Sequence, residues 1–269
     1  MTKLRIEGVS RTFPGVSSAT KGGGAPTKAL EPTQLEVAAN DFITILGPSG
    51  CGKSTLLRIV AGLDHPTAGR VLLDGREVTR PGADRGMVFQ SYTLFPWLTV
   101  EQNVAFGLIE RGVPETRRRE IVATYLGRVG LQGFERHFPK QLSGDMQQRT
   151  AIARALANDP EILLLDEPFG ALDNQTRGLM QELLLGIWER EQKTVLFVTH
   201  DIEEAIFMAS RVVVMTARPG RIKADIPVDL PHPRHYTLKT SPEFSALKAR
   251  LTEEIRIEAM KTAELPGVA

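Results

Sequence analysis

The chain has 269 residues, 42% of them hydrophobic and 24% charged, which is an ordinary globular composition and enough for one or two domains. A net charge of +1 gives no long-range electrostatic reason to bind nucleic acid, and the single cysteine, Cys51, excludes an internal disulfide and fits a reducing compartment. The opening MTKLRIEGVSRTF lacks the apolar core of a signal peptide, and no run of about 18 apolar residues is available to span a bilayer, so any membrane role is expected to come through a partner.

Polar and apolar residues alternate over Lys3–Val9, which predicts a first strand. Ser17–Thr27, rich in Ser, Gly and Pro, predicts a flexible, solvated hairpin tip without a function of its own. Leu35–Val37 and Phe42–Leu46 predict strands, and the second runs into a Gly-rich turn and a helix starting near Lys53. Val71–Leu73 followed by Asp74-Gly75 predicts a strand and a turn. From about Leu94 to Glu161 helical patterns dominate. Pro114 opens a helix over Glu115–Gly127, and Ser143 is the expected N-cap of a helix over about Asp145–Asn158. Ile162–Leu165, Val195–Val198 and Val212–Met215 are continuous apolar runs, as expected of strands buried on both faces. Helices are predicted between them at Gln175–Glu191 and Asp201–Ala209. A Pro-rich stretch beyond Ala217 leads to a charged helix over about Pro242–Met260. This order predicts an α/β fold with a main domain over 1–240, a helical portion within it over about 94–160, and a helical tail over 241–269.

Gly47-Pro48-Ser49-Gly50-Cys51-Gly52-Lys53-Ser54 fits G-x-x-x-x-G-K-[ST] directly after a predicted strand. Glycines let the backbone wrap a phosphate chain, and successive N–H groups and the helix dipole then favour the anion. Lys53 is expected at the β- and γ-phosphates, the Ser54 hydroxyl at Mg²⁺ and Thr55 by the α-phosphate. Cys51 reads as a small filler of the loop. Asp166 and Glu167 end the apolar run Ile162–Leu165, at the strand edge where such folds place ligands. In phosphoryl transfer one acidic group organises the metal and another group orients the attacking water. Asp166 is assigned the first task and Glu167 the second.

Leu142-Ser143-Gly144-Asp145-Met146-Gln147-Gln148-Arg149 stands shortly before that acidic pair. A phosphate loop, this segment and an apolar strand ending in Asp-Glu together resemble the ATPase subunit of an ATP-binding-cassette (ABC) transporter, across nearly the whole chain. The resemblance implies a P-loop NTPase core with a mainly parallel sheet, an N-terminal antiparallel β portion and a helical insert. It implies ATP and Mg²⁺ as ligands. Gln90 matches the family's Q-loop glutamine, expected at the metal or the water. His200 matches the switch histidine at the γ-phosphate, and Asp173, in Pro168–Asp173, matches the D-loop at the dimer interface. Phe13 is the candidate aromatic to stack on adenine, with a core position as the alternative. In the family, Ser143 and the Gly144 amide reach the γ-phosphate of a second cassette, two ATP molecules being held in a head-to-tail dimer.

Asp145 departs from the family pattern, which has Gly there. A carboxylate ~5 Å from a phosphate charge costs about 3 kcal/mol at an effective dielectric of ~20, or roughly two orders of magnitude in affinity or rate. An acidic residue in a first helical turn also satisfies the dipole. The expectation is a measurable slowing of ATP-driven closure, with tolerance as the alternative. Tyr92–Val100 puts large apolar residues in a predicted surface loop, where exposed aromatics often mark partner contacts, with a core position as the alternative; in the family this region receives the permease.

The FPWLTV stretch, LLLDEPFGALD and Ala217–Ile222 look most like the nitrate/sulfonate/taurine importer subfamily. That resemblance implies a peripheral ATPase on the cytoplasmic face of a bacterial inner membrane, working with a second cassette, transmembrane permease subunits and a periplasmic substrate-binding protein, and with no nucleic acid. Two other readings stand beside it: a nucleotide-gated binding subunit whose hydrolysis Asp145 impairs, and a soluble ABC ATPase outside transport.

Overall fold

A computed structural model describes residues 2–15, 25–91 and 93–263, and the chain divides into two compact units. The first contains Met1–Pro81, Val198–Leu230 and Thr237–Ala269; the second contains Gly82–Phe197 and Pro231–Tyr236. Of the loop expected over Ser17–Thr27, residues 17–24 lie outside the described residues, as does Tyr92, and Thr27 opens a strand.

In the first unit β1 (Thr2–Phe13) and β2 (Thr27–Ala38) pair antiparallel, with Leu4 opposite Val37 and Ile6 opposite Leu35. These four side chains are buried, so the alternation seen in the sequence is the inward face of this pair. β3 (Phe42–Leu46) is buried along its whole length and runs by way of the Gly-rich turn into α1 (Lys53–Val60). β4 (Ala68–Leu73) pairs with the other edge of β1 and turns into β5 (Arg76–Glu77). Asp74 and Gly75 take φ of +47° and +75°, the successive left-handed residues that a two-residue hairpin needs.

In the second unit β6 (Arg85–Val88) leads to α2 (Val100–Glu110), α3 (Glu115–Arg128) and α4 (Gly144–Ala157). Thr99 and Gln102 close a reciprocal capping box on α2, and Pro114 precedes the first turn of α3. β7 (Ile162–Asp166), α5 (Asn174–Glu191) and β8 (Thr194–Thr199) follow, and β6 and β7 run parallel in the strand order β8-β7-β6. β6 was not anticipated. Its sequence, RGMV, is short and only its last residue is buried, so it carries no apolar run to read.

The unit boundary falls within β8, and the chain beyond it builds α6 (Ile202–Met208), β9 (Arg211–Met215), β10 (Ile222–Pro227) and α7 (Pro242–Ala263) in the first unit. β9 lies parallel to β3, and β10 returns antiparallel along β9. β10 was read as a Pro-rich connection. Its proline, Pro227, stands at the strand's end, where the missing N–H is tolerated. No described helix is long and apolar enough to cross a membrane.

α7 is fixed to the β9–β10 hairpin by a buried carboxylate. Glu258 is 1% exposed, accepts from the Ala217 backbone N–H at 3.0 Å, and pairs with Lys223 at 3.1 Å and Lys261 at 2.7 Å. Burial alone would raise its pKa, but the Lys261 hydrogen bond, the Ala217 N–H and Lys223 together pull it down to about 2. A carboxyl depressed in the fold adds stability that is present above its unfolded pKa and lost as pH falls through its folded value. Glu258→Gln is therefore expected to cost about 2 kcal/mol at pH 7, after allowing for solvent screening, and to flatten the loss of stability between roughly pH 5 and pH 2. Denaturant titrations of both proteins at pH 7, 5 and 3 check this; equal slopes against pH would refute it.

Candidate functional site

The turn after β3 is shaped by what glycine permits. Gly50 and Gly52 take φ of +74° and +103°, and Gly52 occupies the N-cap of α1 without a capping side chain. A Cβ on Gly52 would stand 2.7 Å from Leu30 Cδ2 and 2.9 Å from the Ala29 carbonyl. Gly47 packs against Cys51 and Met215, Cys51 is buried and not in a disulfide, and Pro48 and Ser49 form the outer part of the turn. Lys53 is 4% exposed, and its ammonium donates to the Gly47 and Pro48 carbonyls at 2.8 and 2.9 Å. Ser54 and Thr55 are half-buried in the first turn of α1, whose leading amides have no intrahelical acceptor. This is an anion cradle of backbone N–H groups with a lysine folded across it.

Part of its support escaped the sequence reading. Gly220, in the 217–222 stretch taken only as a family mark, donates to the Ala29 carbonyl at 2.9 Å and accepts from the Glu31 N–H at 2.8 Å. A Cβ on it would stand 1.9 Å from the Cys51 carbonyl. The β9–β10 turn thus braces the loop from behind, and a lone glycine outside any motif gives no sequence signal of that contact.

Two further predicted residues belong to the first unit. Phe13 ends β1 and is 36% exposed, with the Arg11 guanidinium 4.6 Å over its ring, so it is not a core residue. His200 follows β8 at an exposed position. The backbone beside it is fixed, because Thr199 Oγ1 accepts from the Asp201 N–H at 3.0 Å and Asp201 caps α6 through the Glu204 N–H at 3.1 Å.

The second unit holds the acidic pair. Asp166 ends β7 and is 4% exposed. Glu167 takes φ +44°, a left-handed conformation that a non-glycine residue holds only when its surroundings impose it, and one that clusters at functional sites. The Gln90 amide nitrogen stands 3.5 Å from Glu167 Oε2, so the two are neighbours. Asp173 caps α5 by accepting from the Gln175 and Thr176 N–H groups at 3.0 and 3.1 Å. Those hydrogen bonds, the ones from Thr176 foremost, hold its carboxyl below the usual range.

Ser143 caps α4, its Oγ accepting from the Met146 N–H at 3.3 Å, which leaves the hydroxyl proton available to donate. The Gly144 and Asp145 amides are first-turn groups without intrahelical acceptors. The Asp145 carboxylate is paired with Arg149, Oδ1 to Nε at 3.0 Å, and the same guanidinium donates to the Val129 carbonyl at 3.1 Å.

The aromatic loop before α2 borders a groove. Asn103, fully buried, accepts from the Phe95 N–H at 2.9 Å and donates to the carbonyls of Phe95, Leu98 and Thr99, so one side chain fixes the whole loop. Arg154 donates to the Thr93 carbonyl at 2.9 Å and lies 5.4 Å from the centre of the Phe95 ring. A cavity of about 560 Å³ opens beside them, lined by Phe89, Phe95, Phe106, Arg111 and Arg154 among others. Trp97, stacked near Phe95, is 70% exposed. A ring so large in water is expected to have a partner.

Comparison with known proteins agrees with this geometry. The sequence model described as "ABC transporter" matches residues 30–170. An uncharacterized ABC transporter ATP-binding protein of Methanocaldococcus jannaschii is 54% identical over 260 residues, covering 97% of this chain and 94% of that protein. A nitrate import ATP-binding protein of Synechocystis is 47% identical over 265 residues, covering 93% of this chain and 97% of that protein. Among solved structures, a dimeric ATP-binding cassette in a post-hydrolysis state bound to ADP and Pi superposes with a TM-score of 0.72 at 35% identity, over 85% of this chain and all of that one. The fold is therefore that of an ABC ATPase cassette, α/β with a mixed, mainly parallel sheet and an antiparallel β portion.

The brace behind the cradle is testable. Gly220→Ala is expected to weaken ATP binding at least tenfold while the far-UV circular dichroism stays unchanged, since the added Cβ displaces the Cys51 carbonyl and the loop with it. Calorimetric titration with ATP checks it; unchanged affinity would show that the turn does not set the loop.

Proposed function

The chain belongs to the ABC transporter family as an ATP-binding subunit of the importer type, and from that premise we propose that it hydrolyses ATP to drive uptake of a small oxyanion of the nitrate or sulfonate kind through separate permease subunits. The observation that carries the reading is the strained Glu167 beside Gln90 at the end of β7. A carboxylate held in that conformation at a strand's C-terminal end is suited to orient a water for attack on a phosphorus atom.

The other residues take the roles that the family resemblance implies for them. The 47–52 backbone, Lys53 and Thr55 bind the triphosphate, and Phe13 offers its exposed ring to adenine. His200 meets the γ-phosphate. The Ser54 hydroxyl, the Asp166 carboxylate and the Gln90 amide oxygen are hard oxygen donors, a set suited to Mg²⁺, which prefers a few protein oxygens completed by phosphates and water. When bound, that ion neutralises charge developing on the phosphoryl oxygens. Ser143, Gly144 and Asp145 serve the nucleotide of a second cassette, and Asp173 lies at the shared interface, a reading supported by the dimeric form of the related cassette.

The partner reading rests on the groove. An apolar-walled cleft lined by Phe95, Phe106 and three arginines, Arg85, Arg111 and Arg154, with exposed Trp97 on the loop that borders it, suits a short amphipathic helix, the form in which a permease presents a cytoplasmic loop. The chain then sits peripherally on the cytoplasmic face of the membrane that houses its permease, with a periplasmic substrate-binding protein delivering the cargo. The named nitrate relative supports the oxyanion class, and the archaeal relative removes any reason to restrict the host to bacteria.

Steady-state ATP hydrolysis by the purified chain, compared with Glu167→Gln, tests the enzymatic core. The variant is expected to lose at least a hundredfold in kcat while retaining ATP affinity and forming an ATP-dependent dimer by light scattering; equal rates would reject Glu167 as the water-orienting group. Trp97→Ala is expected to leave the hydrolysis of the free chain within twofold and to abolish co-purification with its permease subunits from membranes of the native host. Retained co-purification would remove the groove from the partner reading.

A further inference from the structure

The carboxylate of Asp145 stands in the turn that the proposed function assigns to a partner's nucleotide, and the inference below rests on that reading. Taken alone, this charge opposes the turn's use. Gly144 and Asp145 present first-turn amides and the positive end of the α4 dipole, which attract an anion, while a carboxylate on the same turn repels it.

The side chain is not alone. Arg149 lies about one turn further along α4, about 6 Å nearer its C-terminus in an ideal helix, and its Nε holds Asp145 Oδ1 at 3.0 Å. The pair replaces an isolated charge with a short dipole whose field falls off faster with distance. The guanidinium is itself anchored: Nη1 donates to the Val129 carbonyl at 3.1 Å, just past the end of α3. Gly130, at φ +69°, lets the backbone turn there, and a Cβ on it would stand 3.1 Å from Nη1. Both side chains of the pair are only about a fifth to a quarter exposed, so water screens them partially.

We propose that Arg149 is the counter-ion that keeps the 143–145 turn able to take an anion although Asp145 occupies it. Arg149 acts through Asp145, as a positioning residue, and the hundredfold handicap of a bare carboxylate is largely cancelled. A merely structural Arg149, holding α4 to the end of α3, gives a different signature, because its loss then costs the same whatever stands at 145.

The experiment is a double-mutant cycle on the full chain: wild type, Arg149→Met, Asp145→Asn and the double variant, with Arg149→Lys as the charge-conserving control. kcat and KM for ATP are measured, together with the ATP concentration that dimerises each protein in the Glu167→Gln background, and thermal midpoints confirm folding. Arg149→Met is expected to lower kcat/KM and to raise the dimerising ATP concentration at least tenfold when Asp145 is present, but less than twofold beside Asn. Arg149→Lys is expected to restore most of the loss. Equal losses in both backgrounds, or none in either, overturn the proposal while hydrolysis that depends on Glu167 leaves the ATPase reading standing. Absence of such hydrolysis in the wild type overturns both. Should Arg149→Met fail to fold, Arg149→Gln in the same two backgrounds gives the same comparison.

Discussion

The geometry of the phosphate loop rests on one constraint, the exclusion of Cβ atoms from a small volume behind Cys51. The loop must turn its N–H groups toward an anion, which sends the carbonyl and side chain of Cys51 backward into the fold. There they meet Gly220, Ala29 and Leu30 at distances that leave no room for a methyl group. Gly52 is pressed from the same side. The positive φ at Gly50 and Gly52 makes the turn possible, and the packing behind it makes it the only turn available. The C-terminal helix joins this arrangement indirectly. Glu258 on α7 holds the Ala217 N–H three residues before Gly220, so the brace is itself anchored by a buried ion-paired carboxylate.

Elsewhere, polar side chains are spent on fixing backbone. Asn103 uses both ends of its amide to set the loop over Phe95–Thr99; Arg154 holds Thr93 in its left-handed conformation; Ser143, Asp173 and Asp201 cap the helices that follow the signature, acidic and switch segments. Each replaces a hydrogen bond to water by one that specifies a conformation, and the net stability gained from each is modest. What they supply is position. Function-bearing loops tend to be the least ordered parts of a fold, and here several are tied down by one residue each. One buried amide does not follow this pattern. Gln148 is fully buried on α4 and its side-chain nitrogen and oxygen have no hydrogen-bond partner among the described residues. An ordered water is the usual way such a group is satisfied.

Much of this was legible in the sequence, and the failures have physical causes. Strands buried on both faces announce themselves as apolar runs, so β3, β7, β8 and β9 were placed within a residue or two. The phosphate loop is legible because its chemistry demands a fixed spacing of glycines and a lysine along the chain. β6 is short, and β6 and β10 each carry one buried residue in their patterns, so their strand state comes from a neighbour and not from their own composition. Gly220 could not be read, because the volume it must not fill belongs to residues far away in sequence. Arg149 was readable and was overlooked. It stands four residues after Asp145 on a predicted helix, the spacing at which opposite charges meet, and the charge at 145 was weighed against a phosphate without its neighbour.

That omission bears on how a departure from a family pattern is judged. The cost of an unexpected charge is set by the field of the group together with whatever it pairs with, and Coulomb's law applied to the single residue overstates it when a partner is within 3 to 4 Å. On a helix a partner three or four residues away is within reach and can be sought directly. An acid in the first turn with an arginine one turn on satisfies the helix dipole and the ion pair together, so the isolated α4 gains from Asp145. The penalty arises only if the pair opens when an anion arrives. Whether it opens depends on the second anchor of the guanidinium, the Val129 carbonyl, which belongs to a different helix end. An arginine held from both sides resists being pulled to the anion, and while it is so held the pair stays closed. The consequence of a charged residue at this turn is therefore decided at the end of α3, outside the motif in which it stands.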